Sequence, residues 1–86
     1  NSSEIRGLLL NNLGVLYSKK GLLENAEINI LKSFNYIEEN QVNAEALIKA
    51  YMNLAIIQQK SARVEDAIIS ISHADYLCKL YHQDKL

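Results

Sequence analysis

Side chains that could bind a metal ion are concentrated near the carboxyl end of this 86-residue sequence, at His73, Asp75, Cys78 and His82. Cys78 and His82 are four residues apart, so on a helix they would share one face, as a pair of zinc ligands does. Two ligands do not complete a zinc site, and the apolar spacing around Cys78 places its thiol on the core side of the helix. We therefore expect a buried thiol and two histidines at the surface or at its edge, with no metal and no cofactor.

Other patterns that would indicate an enzyme or a charged partner are absent from the sequence. It contains no Gly-rich phosphate loop, no pair of inward carboxylates and no nucleophile elbow. The net charge is −1 and the basic residues are scattered, which disfavours nucleic-acid binding. The longest apolar runs, Leu8–Leu10 and Leu54–Ile57, are far too short to span a membrane. We expect a non-catalytic protein that binds neither nucleic acid nor membrane.

The most informative feature is an internal repeat with an offset of 41 positions. Asn12 recurs as Asn53 and Lys19 recurs as Lys60, and small residues occupy both Gly21 and Ala62. The other identities at this offset are Glu4/Glu45, Leu13/Leu54, Glu24/Glu65, Ala26/Ala67, Ile28/Ile69 and Ile30/Ile71. A constant period of this length is typical of helical solenoids, whose units bury their apolar faces by stacking on one another.

Helical spacing of apolar residues appears four times, and strand-like alternation is absent. The first helix is expected over Glu4–Lys19, the second from Leu23 until it fades at Glu38–Asn40, the third after an N-cap at Asn43, and the fourth from Val64 towards Tyr81. Short connections make successive helices antiparallel. The predicted fold is all-α, with repeat one at about 4–40 and repeat two at about 43–81 of a single domain, 1–86. A four-helix bundle is the alternative.

The spacing also predicts which faces are buried. On the first helix one apolar face comprises Ile5, Leu9, Leu13, Leu16 and Tyr17. Gly14 costs helix stability, so we expect that it lets a second helix approach closely. On the fourth helix the expected inward residues are Val64, Ala67, Ile68, Ile71, Ala74 and Cys78, and the expected outer residues are Ile69, Leu77 and Leu80.

The run Asn12-Leu13-Gly14, followed by Tyr17, Gly21 and Ala26, resembles the tetratricopeptide repeat. It is especially similar to the longer repeats of kinesin light chains and of bacterial regulators. The second copy departs from the pattern, with Ala55 in place of Gly and Gln58 in place of Tyr. The resemblance implies a right-handed α-solenoid that binds proteins or peptides and acts as a scaffold.

In that family the first helix of each repeat lines a concave groove that holds a peptide. The resemblance therefore implies partner contacts from Asn11, Asn12, Val15, Ser18, Lys19, Lys49, Met52, Asn53, Ile56, Gln59 and Lys60. Asn12 and Asn53 either bind a peptide backbone through their amides or bond a neighbouring helix. Lys19 and Lys60 either attract an acidic peptide or simply complement the negative ends of their helices.

Self-association through open solenoid ends is the alternative function, because two repeats are fewer than most solenoids need. The sequence starts at Asn1 rather than Met, and we expect it to be part of a longer protein. Its single cysteine excludes an internal disulfide, which fits a reducing compartment such as the cytoplasm.

Overall fold

A computed structural model describes residues 2–81, which form four α-helices joined by turns. These are α1 (Ser2–Lys19), α2 (Leu23–Ser33), α3 (Ala44–Lys60) and α4 (Val64–Leu80). No strand occurs within this range. The all-α prediction is therefore confirmed, and each pair of helices falls within one copy of the 41-residue repeat.

The helices are arranged as two hairpins, one stacked on the other. Helix α2 lies against α1, and α4 lies against α3. The hairpins meet where α3 packs on α2 and, less extensively, on α1. Within residues 2–81, α4 has no close backbone contact with α1 or α2. A bundle would bring the fourth helix back to the first, so this pattern favours stacked hairpins.

The buried face of α1 differs from the expected one. Gly7, Asn11, Gly14 and Ser18 are buried, whereas the leucines predicted to face inward are exposed. Both faces have the same three- and four-residue spacing, so periodicity alone could not separate them. The small face is selected because it lets α2 approach. Of the predicted face, Tyr17 packs against the core, whereas Ile5 and the leucines are exposed.

Gly14 is a point of close approach between α1 and α2, as its position in the sequence predicts. A Cβ placed on Gly14 would lie 2.5 Å from Cγ1 of Ile30 and 3.0 Å from the backbone oxygen of Ala26. Ile30 and Ala26 are fully buried and form a core cluster with Leu54 and Ile57 of α3. The bare Cα of Gly14 thus positions the α2 residues on which the second hairpin packs.

Both hairpins turn with the same backbone geometry. Gly21 has φ +82° and Ala62 has φ +62°, so both adopt the left-handed conformation. Leu22 N–H donates to the Tyr17 carbonyl at 2.9 Å, and Arg63 N–H donates to the Gln58 carbonyl at 2.8 Å. Gly21 N–H also donates to the Ser18 carbonyl at 2.9 Å, and Ala62 N–H donates to the Gln59 carbonyl at 3.0 Å, so Schellman motifs end α1 and α3.

Helix α2 ends at Ser33, several residues before the predicted fade at Glu38–Asn40. The N–H groups of Phe34, Asn35 and Tyr36 bond to carbonyls three residues earlier, so the chain tightens into turns. The apolar spacing nevertheless continues to Ile37, which is buried. The expectation of a longer helix was wrong because turn residues preserve the same inward spacing.

Asn43 precedes α3 as predicted, but its side chain does not cap the helix. Its Nδ2 donates to the Glu38 carbonyl at 2.9 Å and to Oε2 of Glu4 at 3.1 Å, and its own N–H donates to Oδ1 of Asn40 at 2.8 Å. The hydrogen bond from Asn43 lowers the pKa of the Glu4 carboxyl. Asn43 therefore ties the connection between the hairpins to the start of α1.

The second hairpin is only partly packed as predicted. Ala67 and Ala74 are buried, but Val64, Ile68 and Ile71 are exposed, and Leu77, expected on the outside, is fully buried. Leu77 joins Ile37 and Leu47 in a second core cluster. The helix is rotated relative to the prediction because small alanines, rather than isoleucines, face α3.

Gln58 stands where the repeat pattern expects Tyr, and the structure gives a physical reason. Its Oε1 accepts a hydrogen bond from Oγ of Ser70 at 2.7 Å, and both side chains are buried. The polar pair replaces the aromatic packing that Tyr17 provides in the first hairpin.

The left-handed Ala62 predicts a stabilising substitution. Ala62→Gly should raise the free energy of unfolding by about 0.5–1 kcal/mol, because Gly adopts this conformation without the Cβ penalty. Gly21→Ala is the matched reverse change and should lower it by about 1 kcal/mol. Urea unfolding followed by circular dichroism measures both, and effects of the same sign would contradict the assignment.

The close contact at Gly14 predicts that Gly14→Ala destabilises the protein by about 1–3 kcal/mol, although Ala favours a helix. The added methyl group must displace Ile30 or the backbone of α2. Ser72→Ala, at an exposed helical position, is the control and should change stability by no more than about 0.5 kcal/mol. Equal effects in thermal or urea unfolding would show that α2 does not approach α1 closely.

Candidate functional site

A cleft lies between α1 and α3 on one side of the stacked hairpins. We call it the A-helix cleft, and its lining residues are Val15, Ser18, Lys19, Asn53, Ile56, Ile57 and Lys60. Its volume is about 170 Å³. Val15 and Ile56 are related by the 41-residue repeat, as are Lys19 and Lys60. The cleft thus presents the same two kinds of side chain twice.

Polar contacts between α1 and α3 form the base of this cleft. Nδ2 of Asn53 donates to Oδ1 of Asn11 over 3.5 Å, and Nζ of Lys60 donates to Oγ of Ser18 over 3.4 Å. Both acceptors are on buried residues. The bonds are long, so the donors are held weakly, and a partner carrying stronger acceptors could compete for them.

The cleft is positively charged at one end. Lys19 and Lys60 lie in the last turns of α1 and α3, and no acidic side chain of residues 2–81 lines the cleft. Val15, Ile56 and Ile57 supply its apolar part. A volume of about 170 Å³ is below the roughly 300–1,000 Å³ typical of small-molecule pockets. The site therefore suits individual side chains of a larger partner rather than a whole cofactor.

The structure brings together some, not all, of the residues expected on the groove face. Val15, Lys19, Asn53, Ile56 and Lys60 line the A-helix cleft. Ser18, which was also expected on the groove face, lines the cleft as well. The expected groove residue Asn11 instead lies buried beneath the cleft, where it accepts the bond from Asn53.

The remaining expected residues lie elsewhere. Asn12 and Gln59 are exposed and do not line the cleft. Lys49 is exposed and pairs with Glu45 at 3.1 Å, one turn earlier on α3. Met52 lies in a separate apolar groove between α3 and α4. These positions follow from the rotations of α1 and α3 about their axes, which the sequence pattern does not specify.

Ile57 is a cleft residue that the sequence reasoning missed. It is almost completely buried and belongs to the core cluster with Ile30, yet one side of it borders the cleft. Its neighbour Ile56 was expected there because of the repeat, and Ile57 shares the apolar run. No pattern in the sequence distinguishes a core residue that also borders a cleft.

The candidate metal ligands of α4 are separated by their environments. The imidazole of His73 stacks on the ring of Tyr51, with 4.1 Å between centroids. Cys78 is half-buried, and its predicted partner His82 lies outside the described residues. Among residues 2–81, no group of three His, Cys, Asp or Glu side chains could hold a metal ion.

Each helix of the described range lacks the length or the apolar content to cross a membrane. Comparison with known proteins gives no match, either among family models, among curated proteins or among solved structures.

The bond between Asn53 and Asn11 predicts energetic coupling between them. In a double-mutant cycle of Asn11→Ala and Asn53→Ala, the unfolding free energies should deviate from additivity by about 0.5–1 kcal/mol. The matched cycle of Asn12→Ala and Asn53→Ala should be additive within about 0.3–0.5 kcal/mol, because Asn12 does not bond Asn53. Coupling in the second cycle alone would show that Asn12, rather than Asn11, is the structural partner.

Proposed function

We propose that this chain is a tetratricopeptide-type helical-repeat module that binds an acidic peptide or protein segment in the A-helix cleft, without catalysis. The observation that carries the proposal is the duplicated lining of the cleft. Residues that are 41 positions apart in sequence, Val15 with Ile56 and Lys19 with Lys60, lie together there. In a larger protein, such a module would serve a regulator or scaffold.

The lysines support an acidic partner. Both are exposed at the same end of the cleft, and Lys60 makes a long contact, 3.4 Å, with the Ser18 hydroxyl. A carboxylate would form a shorter, charge-assisted hydrogen bond with either ammonium group. The nearby helix carboxyl ends do not compete fully for these charges, because a helix end carries only about half an elementary charge.

The apolar part of the cleft supports a partner with at least one apolar side chain. Ile56 is exposed beside Val15, and the space between the two helices is too small for a folded element. An extended segment could place an apolar side chain there while its carboxylates reach the lysines. Asn53 adds an amide that can bond the backbone of the segment regardless of its sequence.

Binding should depend on both lysines. A labelled peptide of alternating Glu and Leu residues should bind in fluorescence anisotropy, and the double variant Lys19→Glu/Lys60→Glu should weaken its binding at least about tenfold. The affinity should also fall with added salt, since exposed charges are screened. A peptide with Lys in place of each Glu should bind the unchanged protein more weakly.

The control is Lys32→Glu/Lys79→Glu, which makes the same charge change at exposed sites of α2 and α4 outside the cleft. Circular dichroism establishes that both double variants remain helical. Equal loss of affinity in the two variants would reduce the effect to net charge and overturn the cleft assignment. So would unchanged affinity in the cleft variant.

A further inference from the structure

The second hairpin has an uncovered groove at the place where the first hairpin is covered. The groove lies between α3 and α4 and is lined by Ile48, Met52, Ile71, Ala74, Asp75 and Cys78; we call it the α3–α4 groove. Ile71 corresponds to Ile30 by the 41-residue repeat. Ile30 is 0% exposed because α3 packs on it, whereas Ile71 is 48% exposed.

The complementary surface is present on the same molecule. Leu54 and Ile57 are the α3 residues that cover Ile30, and they are 4% and 1% exposed. Their counterparts on α1 are Leu13 and Leu16, which are 40% and 58% exposed. One molecule therefore carries both halves of an interface that it already uses once internally.

We propose that the α3–α4 groove binds the leucine face of α1 from a second copy of this chain, in the way that α1 and α2 bind α3. The A-helix cleft lies on another side of α3, so a second copy in the α3–α4 groove would leave it open. The leucine face comprises Ile5, Leu9, Leu13 and Leu16. The contact joins two different surfaces, so it leads to head-to-tail chains rather than closed two-fold dimers.

One pair of residues changes compatibly between the two interfaces. Within the molecule, Arg63 donates to Glu27 at 2.6 Å across the hairpins. At the second interface these positions become Leu22 and Ile68, both exposed and both apolar. An apolar pair thus replaces the ion pair, so the second interface would bury no unpaired charge at this position.

The contacts at the other end of the interface change in character. The ring of Phe34 contacts that of Tyr51, with 4.4 Å between centroids, and both pack against the second core cluster, which includes Leu47. The counterparts of Phe34, Tyr51 and Leu47 are Asp75, Leu10 and Arg6, so Asp75 would face Leu10 but would also have an opposite charge nearby on Arg6. The leucine face that matches Leu54 and Ile57, together with the apolar pair of Leu22 and Ile68, favours a second copy of the chain over an unrelated apolar partner.

Paired single substitutions test the proposal. Ile71→Glu disrupts only the groove, and Leu13→Glu disrupts only the α1 face; each should weaken self-association at least about 100-fold, because a carboxylate is buried against apolar surface. The unchanged protein should show a sedimentation mass that rises with concentration beyond that of a dimer. An equimolar mixture of the two variants should form a one-to-one dimer and no larger species, because only one intact pair of surfaces remains.

Ile69→Glu is the control, since Ile69 and its counterpart Ile28 are exposed and neither lies in the α3–α4 groove. It should associate like the unchanged protein. Since all three positions are exposed, the variants should keep their helical circular dichroism. An unchanged protein that sediments as a monomer up to millimolar concentration would overturn the proposal. A mixture of the Ile71→Glu and Leu13→Glu variants that stays monomeric would also overturn it.

Discussion

The fold depends on the approach of α2 to α1 at Gly14. Where a side chain would otherwise separate the two helices, Ile30 fills the space against the bare Cα. That contact places Ile30 and Ala26 where α3 can cover them. The packing within the first hairpin therefore determines where the second hairpin packs. Burial of these side chains, each contributing about 1.5–3 kcal/mol for a residue the size of Ile, is then shared between hairpins.

The same contact explains why the leucines of α1 are exposed. A helix that packs through Gly7, Asn11, Gly14 and Ser18 must direct its larger side chains elsewhere. In α3 the equivalent large side chains, Leu54 and Ile57, are buried because they pack against α2. Small residues on one face and leucines on the other thus give α1 two possible contact surfaces, of which the leucine face stays exposed.

The sequence predicts the number of helices, their pairing and the turns, because these depend on local chemistry and on the repeat. Gly21 and Ala62, for example, are equivalent in both sequence and backbone geometry. It does not predict which face of α1 is buried, since the leucines and the small residues share one spacing and contact distance decides between them. The end of α2 could not be predicted, because Ile37 lies beyond the helix but still has the spacing of the buried residues.

Part of the cleft could also be predicted, and the limit has a geometric cause. The repeat relates residues 41 apart, but the side chains that meet across the hairpins, Asn11 with Asn53 and Ser18 with Lys60, are 42 apart. Successive helical residues point about 100° apart, so this single-residue difference decides which amide faces α1. On α3, Met52, Asn53 and Leu54 accordingly face the α3–α4 groove, the A-helix cleft and the core. Three consecutive residues of α3 thus belong to three different surfaces. A helix of this kind can pack against neighbouring helices on two faces while its third face stays exposed.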